Sequence, residues 1–130
     1  MFRNLFAEIN GEQRDILENG GLSCAMTVSS ILFLNKLIKD LHANVSATEK
    51  DMIESGWFEI KEAKPGAVLF WEKKVGLDDG KMHGHNGFYI GGDMAISNDS
   101  RGKGFPHKHQ YTYNGTRKIE KIYWNDELND

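Results

Sequence analysis

The 130-residue sequence has very little cysteine or proline: it contains one cysteine, Cys24, and two prolines. A single thiol excludes an internal disulfide, so folding stability has to come from packing, and the thiol is available for chemistry. The scarcity of proline argues against long disordered stretches.

The chain also lacks a strong charge and a long apolar run. Its formal net charge is −3 at pH 7, which gives no electrostatic reason to bind nucleic acid or an anionic membrane. The longest apolar stretch, residues 25–34, is interrupted by Thr27, Ser29 and Ser30 and is too short to cross a bilayer. We therefore expect no nucleic-acid partner and no membrane insertion, while the oligomeric state stays open.

The N-terminus has no apolar run of signal-peptide length, because charged residues begin at Arg3 and continue through Glu8. The expectation is a protein made and folded in the cytoplasm. With 39% hydrophobic and 27% charged residues, the composition is that of a soluble globular protein, and the length fits one ordinary domain over residues 1–130.

The pattern of apolar residues predicts an α+β fold, with helices first and an antiparallel sheet after them. Residues Cys24 to Leu41 are apolar on nearly every helical face, which indicates a central, mostly buried helix with Ser23 as its N-cap. A second short helix is predicted in "SATEKDMIESG", with Thr48 and Asp51 at capping-box spacing and Gly56 as the stop.

Strands are predicted at 67–73, 86–92, 94–98 and 117–124. The short connection "GGD" makes the second and third of these strands an antiparallel hairpin. Residues 74–84 and 99–115 are interpreted as two long loops, of the kind that often bind ligands.

Cys24 is the first candidate for chemistry, because it lies at the predicted start of a helix. Unpaired backbone N–H groups and the positive end of the helix dipole stabilise a thiolate there, and the same groups can bind an oxyanion. A nucleophilic thiol also needs a base with a pKa near neutrality and a third group to orient that base. Of the five histidines, His42 lies at the far end of the first helix, whereas His85 begins a strand in which Gly87 leaves space beside it.

Three segments carry a resemblance to a known family: "LSCAMTVSSIL", "KPGAVLFWE" and "HNGFYIGG" with the following "MAISN". Together they resemble the NlpC/P60 and CHAP group of papain-like cysteine peptidases and amidases, and the similarity extends from Cys24 to about Asn98. In that group a cysteine at a helix N-terminus faces a histidine on the second strand of a small antiparallel sheet, in the form His-x-Gly-x-Tyr-x-Gly. Two positions depart from the family pattern: Ser23-Cys24-Ala25-Met26 replaces Asp-Cys-Ser-Gly, and Ala67 replaces the aspartate of Pro-Gly-Asp.

The resemblance implies an NlpC/P60-type fold in which Cys24 is the nucleophile and His85 the base. The family's third polar residue lies on the strand after the histidine, which here means Ser97 or Asn98. Asn98 is the preferred candidate because an amide oxygen can accept the imidazole N–H and fix its tautomer, and His109 on the following loop is the alternative.

The implied reaction is hydrolysis of an amide bond in a bacterial cell-wall peptide through an acyl-enzyme, with no cofactor or metal. Trp71, His83 and Tyr89 are the expected substrate contacts. Signal-free members of such a class include phage lysins and secretion-system effectors, so later export is compatible with cytoplasmic synthesis.

Two other functions remain open. The pairs His83/His85 and His107/His109 place two imidazoles on the same side of an extended chain and could together bind zinc. A non-catalytic binding module on the same fold, with an unreactive Cys24, is the other alternative.

Overall fold

The structure is a computed structural model that describes residues 6–9, 12–15, 23–75, 82–98 and 106–129, with side chains in 25–74, 84–98 and 106–129. It contains the helices α1 (Ser23–Leu34) and α2 (Val45–Glu54) and a final 3-10 turn at Asp126–Leu128. The strands are β1 (Phe6–Ile9), β2 (Glu12–Asp15), β3 (Phe58–Glu59), β4 (Val68–Val75), β5 (Met82–Gly91), β6 (Met94–Asn98), β7 (Pro106–Gln110) and β8 (Ile119–Trp124). The predicted α+β class is confirmed, and the single-domain assignment stays a prediction.

Six of the strands form one antiparallel sheet in the order β3-β8-β4-β5-β6-β7, while β1 pairs with β2. The hairpin predicted from "GGD" is confirmed, because β5 and β6 pair directly around it. The turn needs left-handed backbone at Gly91, Gly92 and Asp93, with φ of 94°, 60° and 60°, which glycine adopts freely and aspartate tolerates.

Helix α1 is shorter than the sequence predicts: it ends at Leu34 and does not reach Leu41. Lys36 takes a left-handed φ of 60°, which breaks the helical path even though apolar residues continue beyond it. Ile38 still enters the core from irregular backbone, whereas Leu41 is exposed. The apolar run therefore indicated burial correctly for one face of the helix and for Ile38, but Ile31, Phe33 and Leu34 are exposed, and the predicted helix length is wrong.

Helix α2 begins earlier than expected and has a different cap. Asn44 is extended and its side chain accepts a hydrogen bond from the Ala47 N–H at 3.0 Å, the usual N-cap geometry. The predicted capping box is wrong, because the Thr48 hydroxyl donates to the Asn44 carbonyl and the Asp51 carboxylate faces another segment. The predicted stop at Gly56 is confirmed by its φ of 95°.

Asp51 anchors the segment between the two helices. Its carboxylate accepts hydrogen bonds from the backbone N–H groups of Lys39 and Asp40 at 3.0 Å, from the Ser55 hydroxyl at 3.0 Å, and lies 2.7 Å from His42 Nε2. Burial raises the pKa of Asp51, but these hydrogen bonds outweigh burial and lower it from 3.8 to about 2. His42 therefore contacts Asp51 in a structural role. The sequence analysis had placed it far from Cys24 and made it a poor candidate for the catalytic base.

This anchor predicts a specific acid sensitivity. Because the folded-state pKa of Asp51 is depressed, its stabilisation is present above pH 4 and is lost as the pH falls from about 4 to about 2, a change of about 2 kcal/mol. Urea unfolding across this range is expected to show a shallower pH dependence for Asp51→Asn than for the wild type. Glu62→Gln, at an exposed carboxylate, is the control, and equal slopes in the wild type and Asp51→Asn would contradict the prediction.

The sheet separates two apolar clusters. The helices cover one face, where the cluster comprises Val28, Leu32, Ile38, Met52, Trp57, Val68, Phe70 and Tyr123. The opposite face carries Ala67, Leu69, Trp71, Tyr89, Ala95 and Trp124. Alternate residues of β4 contribute to the two clusters, as the two-residue period of a strand requires.

Both helices have defined neighbours in the sheet. Helix α1 lies against β5 and β6. Helix α2 is fixed to β8 by Glu49, whose carboxylate accepts hydrogen bonds from Lys121 Nζ at 2.8 Å and from the Tyr123 hydroxyl at 2.6 Å. None of the helices in the described part of the chain is long and apolar enough to span a membrane.

Candidate functional site

Polar and aromatic side chains gather on the sheet face that the helices do not cover. We call this group the His85 cluster; it comprises Trp71 on β4, His85 on β5, Ser97 on β6, His109 on β7 and Tyr113 in the turn after β7. Trp71 pairs with His85, Gly87 with Ser97, and Ala95 with His109 in the strand register. This register brings side chains from four neighbouring strands together.

Ser97 is at the centre of the cluster. Its Oγ lies 2.7 Å from His109 Nε2, 3.0 Å from His85 Nε2 and 3.0 Å from the Tyr113 hydroxyl. The Tyr113 hydroxyl is also 2.9 Å from His85 Nε2. Ser97 is only 3% exposed and His85 is buried, so these contacts are protected from competing water.

Trp71 covers the imidazole of His85. The two rings stack with centroids 5.0 Å apart and an interplanar angle of 29°. The indole N–H donates to the Tyr111 carbonyl at 2.7 Å, and the edge of Tyr113 packs against the indole at 5.5 Å. Trp71 therefore fixes the plane of His85 and holds the turn after β7 against the sheet.

That turn is supported by Gln110. Its side-chain oxygen accepts hydrogen bonds from the Thr112 N–H at 2.8 Å and the Asn114 N–H at 2.7 Å. Tyr113 and Asn114 have φ of 54° and 57°, a backbone conformation that residues other than glycine adopt only rarely. The hydrogen bonds that the Gln110 side-chain oxygen accepts stabilise this backbone and so place the Tyr113 hydroxyl beside His85.

His109 is held as a neutral acceptor. Its ring stacks on Tyr113 with centroids 4.1 Å apart, and its Nδ1–H donates to the Gln110 carbonyl at 2.8 Å. Burial lowers the pKa of His109 below 6.5, and the neighbouring charge of His107 lowers it further, against the opposing effect of the Gln110 hydrogen bond. At neutral pH the ring is therefore uncharged and presents a lone pair on Nε2.

Gly87 makes the close packing of the cluster possible. A Cβ at this position would lie 2.6 Å from the Ile96 carbonyl oxygen, 2.7 Å from Ser97 Cβ and 3.1 Å from the Trp71 ring. The space that the sequence predicted beside His85 is thus taken by Ser97 and Trp71.

The predicted orienting residues lie on different faces of the sheet. Ser97 and His109 both belong to the His85 cluster. Asn98 follows Ser97 in an uninterrupted ladder, so its side chain points to the helix-covered face, away from His85. The sequence alone does not tell which residues of β6 face His85. The strand pairing shows that Ser97 faces it and Asn98 does not.

Cys24 is the second residue of α1, as predicted, and its side chain lies outside the described residues. Val28, one helical turn further on, packs in the same cluster as Phe70 on the helix-covered face. On β5, Gly84 and Asn86 face that side, since a Cβ at Gly84 would lie 3.3 Å from Val45 Cγ1 on α2. His85 has the opposite phase on β5 and pairs with Trp71 on the side that the helices do not cover. The structure therefore does not bring its side chain to the α1 side of the sheet, and the pairing of Cys24 with His85 stays a prediction.

The other predicted site residues have mixed outcomes. Trp71 is 2% exposed and contacts His85, whereas Tyr89 belongs to the apolar cluster and accepts a hydrogen bond from the Asp93 N–H at 3.1 Å. The side chain of His83 lies outside the described residues. Within the described ranges, no group of three or more histidine, cysteine, aspartate or glutamate side chains is arranged to hold a metal ion.

Tyr113 is a site residue that the sequence analysis missed. Residues 106–110 form β7 although 99–115 was interpreted as one loop. The alternation in "HKHQ" and the turn signal Asn114-Gly115 together indicate a strand followed by a tight turn. From these two signals the sequence analysis could have predicted that the chain turns after β7 and brings Tyr113 back toward the sheet.

Comparison with known proteins adds no assignment. No protein-family model matches the chain, and no curated protein is significantly similar to it.

Proposed function

We propose that the protein is a papain-like cysteine peptidase or amidase in which Cys24 attacks an amide carbonyl and His85 is the general base. The observation that carries this proposal is the environment of His85: a buried imidazole stacked on Trp71, with Nε2 within hydrogen-bond distance of Ser97 and Tyr113. A general base needs a fixed ring orientation and a partner on its far nitrogen. Ser97 and Tyr113 meet the second requirement, and Trp71 meets the first.

The position of Cys24 supports the nucleophile role. It lies in the first turn of α1, where backbone N–H groups have no partner within the helix. These groups and the helix dipole favour a thiolate over a thiol. They are also suited to stabilise the oxyanion that forms when the thiolate adds to a carbonyl.

The reaction then proceeds in two halves. His85 takes the thiol proton, the thiolate adds to the amide carbon, and the imidazolium returns the proton to the leaving amine. Water then attacks the thioester with His85 again as base, which releases the carboxylic acid and restores the thiol. From the family resemblance, the substrate class is an amide in a bacterial cell-wall peptide.

The test is the rate of Cys24 alkylation by iodoacetamide from pH 4 to pH 10. Because the chain has one cysteine, the modified mass reports this thiol alone. We expect a thiolate pKa well below the free value of about 8.5 and a rise of at least about one unit in His85→Ala. His107→Ala, at an exposed histidine of β7, is the matched control and is expected to leave the profile unchanged.

A slow reaction that appears only at high pH and is the same in His85→Ala would overturn the proposal. In that event zinc binding by the histidine pairs becomes the function to measure. Cleavage of purified peptidoglycan, followed as new amino groups and absent in Cys24→Ser, would establish the substrate class.

A further inference from the structure

Asn86 is a buried polar side chain on the helix-covered face of the sheet. It has no exposed surface, and in the strand register it pairs with Phe70, a member of the apolar cluster beneath the helices. Neither Nδ2 nor Oδ1 of Asn86 has a hydrogen-bond partner among the residues that the structure describes. Exchanging the oxygen and nitrogen of the amide changes nothing, because both positions lack a partner. Burial of the amide in this state costs the free energy of removing both groups from water.

Thr27 on α1 is a second buried side chain of this kind. It is 6% exposed, and its Oγ1 also lacks a hydrogen-bond partner within the described part of the chain. Thr27 lies two residues before Ser29, so the two side chains point about 200° apart around the helix. The Ser29 hydroxyl donates to the His42 carbonyl at 2.8 Å, on the side of α1 that leads to α2. Thr27 therefore faces the side of α1 away from α2.

The sheet order places Asn86 beneath α1. Helix α1 lies against β5 and β6, and α2 is fixed to β8, on the other side of β4. The side of α1 away from α2 is therefore the side toward β6. Asn86 lies on β5 beside that strand, and Phe88, the next residue on the same face, packs against the cluster that contains Val28 of α1. Thr27, adjacent to Val28, and Asn86 therefore belong to one interface between α1 and the sheet.

The chemistry of the two side chains restricts what they can bind. The Asn86 amide offers donors and an acceptor, and the Thr27 hydroxyl can donate or accept. Both groups are neutral and the cluster around them is apolar, so an ion bound here would meet no opposite charge among the described residues of that cluster. Complete burial of Asn86 also limits the ligand to a molecule that the helix and the sheet can enclose. Water is small, neutral, and both a donor and an acceptor.

We propose that Asn86 and Thr27 form an internal hydration site in which bound water joins α1 to β5. Hydrogen bonds through the water give both side chains a partner without any change of backbone. The site attaches the N-terminal half of α1, which also contains Cys24, to the sheet. It does not depend on the proposed function, because it involves neither the thiol nor the His85 imidazole.

The first test detects the water at Asn86 by NMR. Cross-relaxation between the solvent and the Nδ2 protons of Asn86 is expected in the wild type, with the sign of a water that stays bound for longer than the protein takes to tumble. The signal is expected to be lost in Thr27→Val and retained in Thr27→Ser, which keeps a hydroxyl. Thr48→Val is the control, because the hydroxyl of this buried threonine already donates to the Asn44 carbonyl at 3.0 Å. Absence of the signal in the wild type, or its survival in Thr27→Val, would overturn the site.

The second test is urea unfolding of Asn86→Leu, Thr27→Val and the double variant. Leucine and valine keep the approximate shape of the side chains they replace and remove the polar groups. With shared water, each single variant lowers the unfolding midpoint because the other side chain loses its partner, and the double variant loses less than the sum of the two. A rise of the midpoint in both single variants would show that the groups are buried without water. Losses that simply add would show that they have separate partners, and either result overturns the shared site.

Asn86→Leu can fail to fold, because leucine branches differently from asparagine. Thr27→Val changes no side-chain shape, and its NMR signal and unfolding midpoint then decide the question. A lost water signal together with a lowered midpoint supports the site, and an unchanged signal or a raised midpoint contradicts it.

Discussion

Replacing Gly87 by alanine is expected to lower the free energy of unfolding by about 3 kcal/mol or more, the upper end of overpacking in a close-packed interior. The added methyl would meet the Ile96 carbonyl at 2.6 Å, and a backbone oxygen in the middle of a sheet cannot move without displacing its strand. Separation of β5 from β6 would also pull Ser97 away from His85. The measurement is urea unfolding of the variant beside the wild type.

Gly84→Ala is the matched control, since Gly84 lies on the same strand and faces the other side of the sheet. Its added methyl would lie 3.3 Å from a valine side chain of α2, which can adjust by a few tenths of an ångström. We expect this variant to lose well under half as much stability. Equal losses of stability in the two variants would show that β5 needs glycine for its backbone conformation and not for the space beside His85.

If the proposed function is right, alanine at His85 is expected to lower kcat/KM for peptidoglycan cleavage by about 10²- to 10⁴-fold, the range for loss of a general acid–base group. Ser97→Ala is expected to have a smaller effect, about tenfold, because Trp71 and Tyr113 still contact the ring. The measurement is release of amino groups from purified peptidoglycan under single-turnover conditions. Circular dichroism of each variant establishes that its fold is intact.

His107→Ala is the kinetic control and is expected to retain the wild-type rate. If His85→Ala and His107→Ala cleaved equally well, His85 would have no part in the chemistry. If both variants were inactive and the wild type lost activity on treatment with a chelator that leaves the fold intact, the histidine pairs would be acting through a metal.

The sequence predicted the hairpin of β5 and β6 well because its signal is local: glycines and an aspartate supply the left-handed backbone of the turn. The end of α1 was missed because the apolar run continues past Lys36. After it, Ile38 is buried in irregular backbone that Asp51 from a later segment anchors, whereas Leu41 is exposed. An apolar pattern alone does not distinguish a helix from an anchored loop.

The site was predicted only in part, because relations within one strand are readable from the sequence and contacts between distant segments are not. His85 and Gly87 share one strand, so their relation is readable from spacing. The choice between Ser97 and Asn98 depends on the register of β6 against β5, where a shift of one residue moves every side chain to the other face. Tyr113 reaches the cluster only through the turn that Gln110 and Trp71 hold, and these contacts join positions far apart in the chain.

The position of β8 between β3 and β4 affects how the protein folds during synthesis. The last strand in the chain order of this sheet is an inner strand, and it also carries Lys121 and Tyr123, which hold α2. A nascent chain that ends before Ile119 therefore leaves β4 with an unpaired edge and α2 without its ion pair. Closure of these long-range contacts is slow relative to hairpin formation. We therefore expect nascent chains to become protease-resistant only after β8 has left the ribosome.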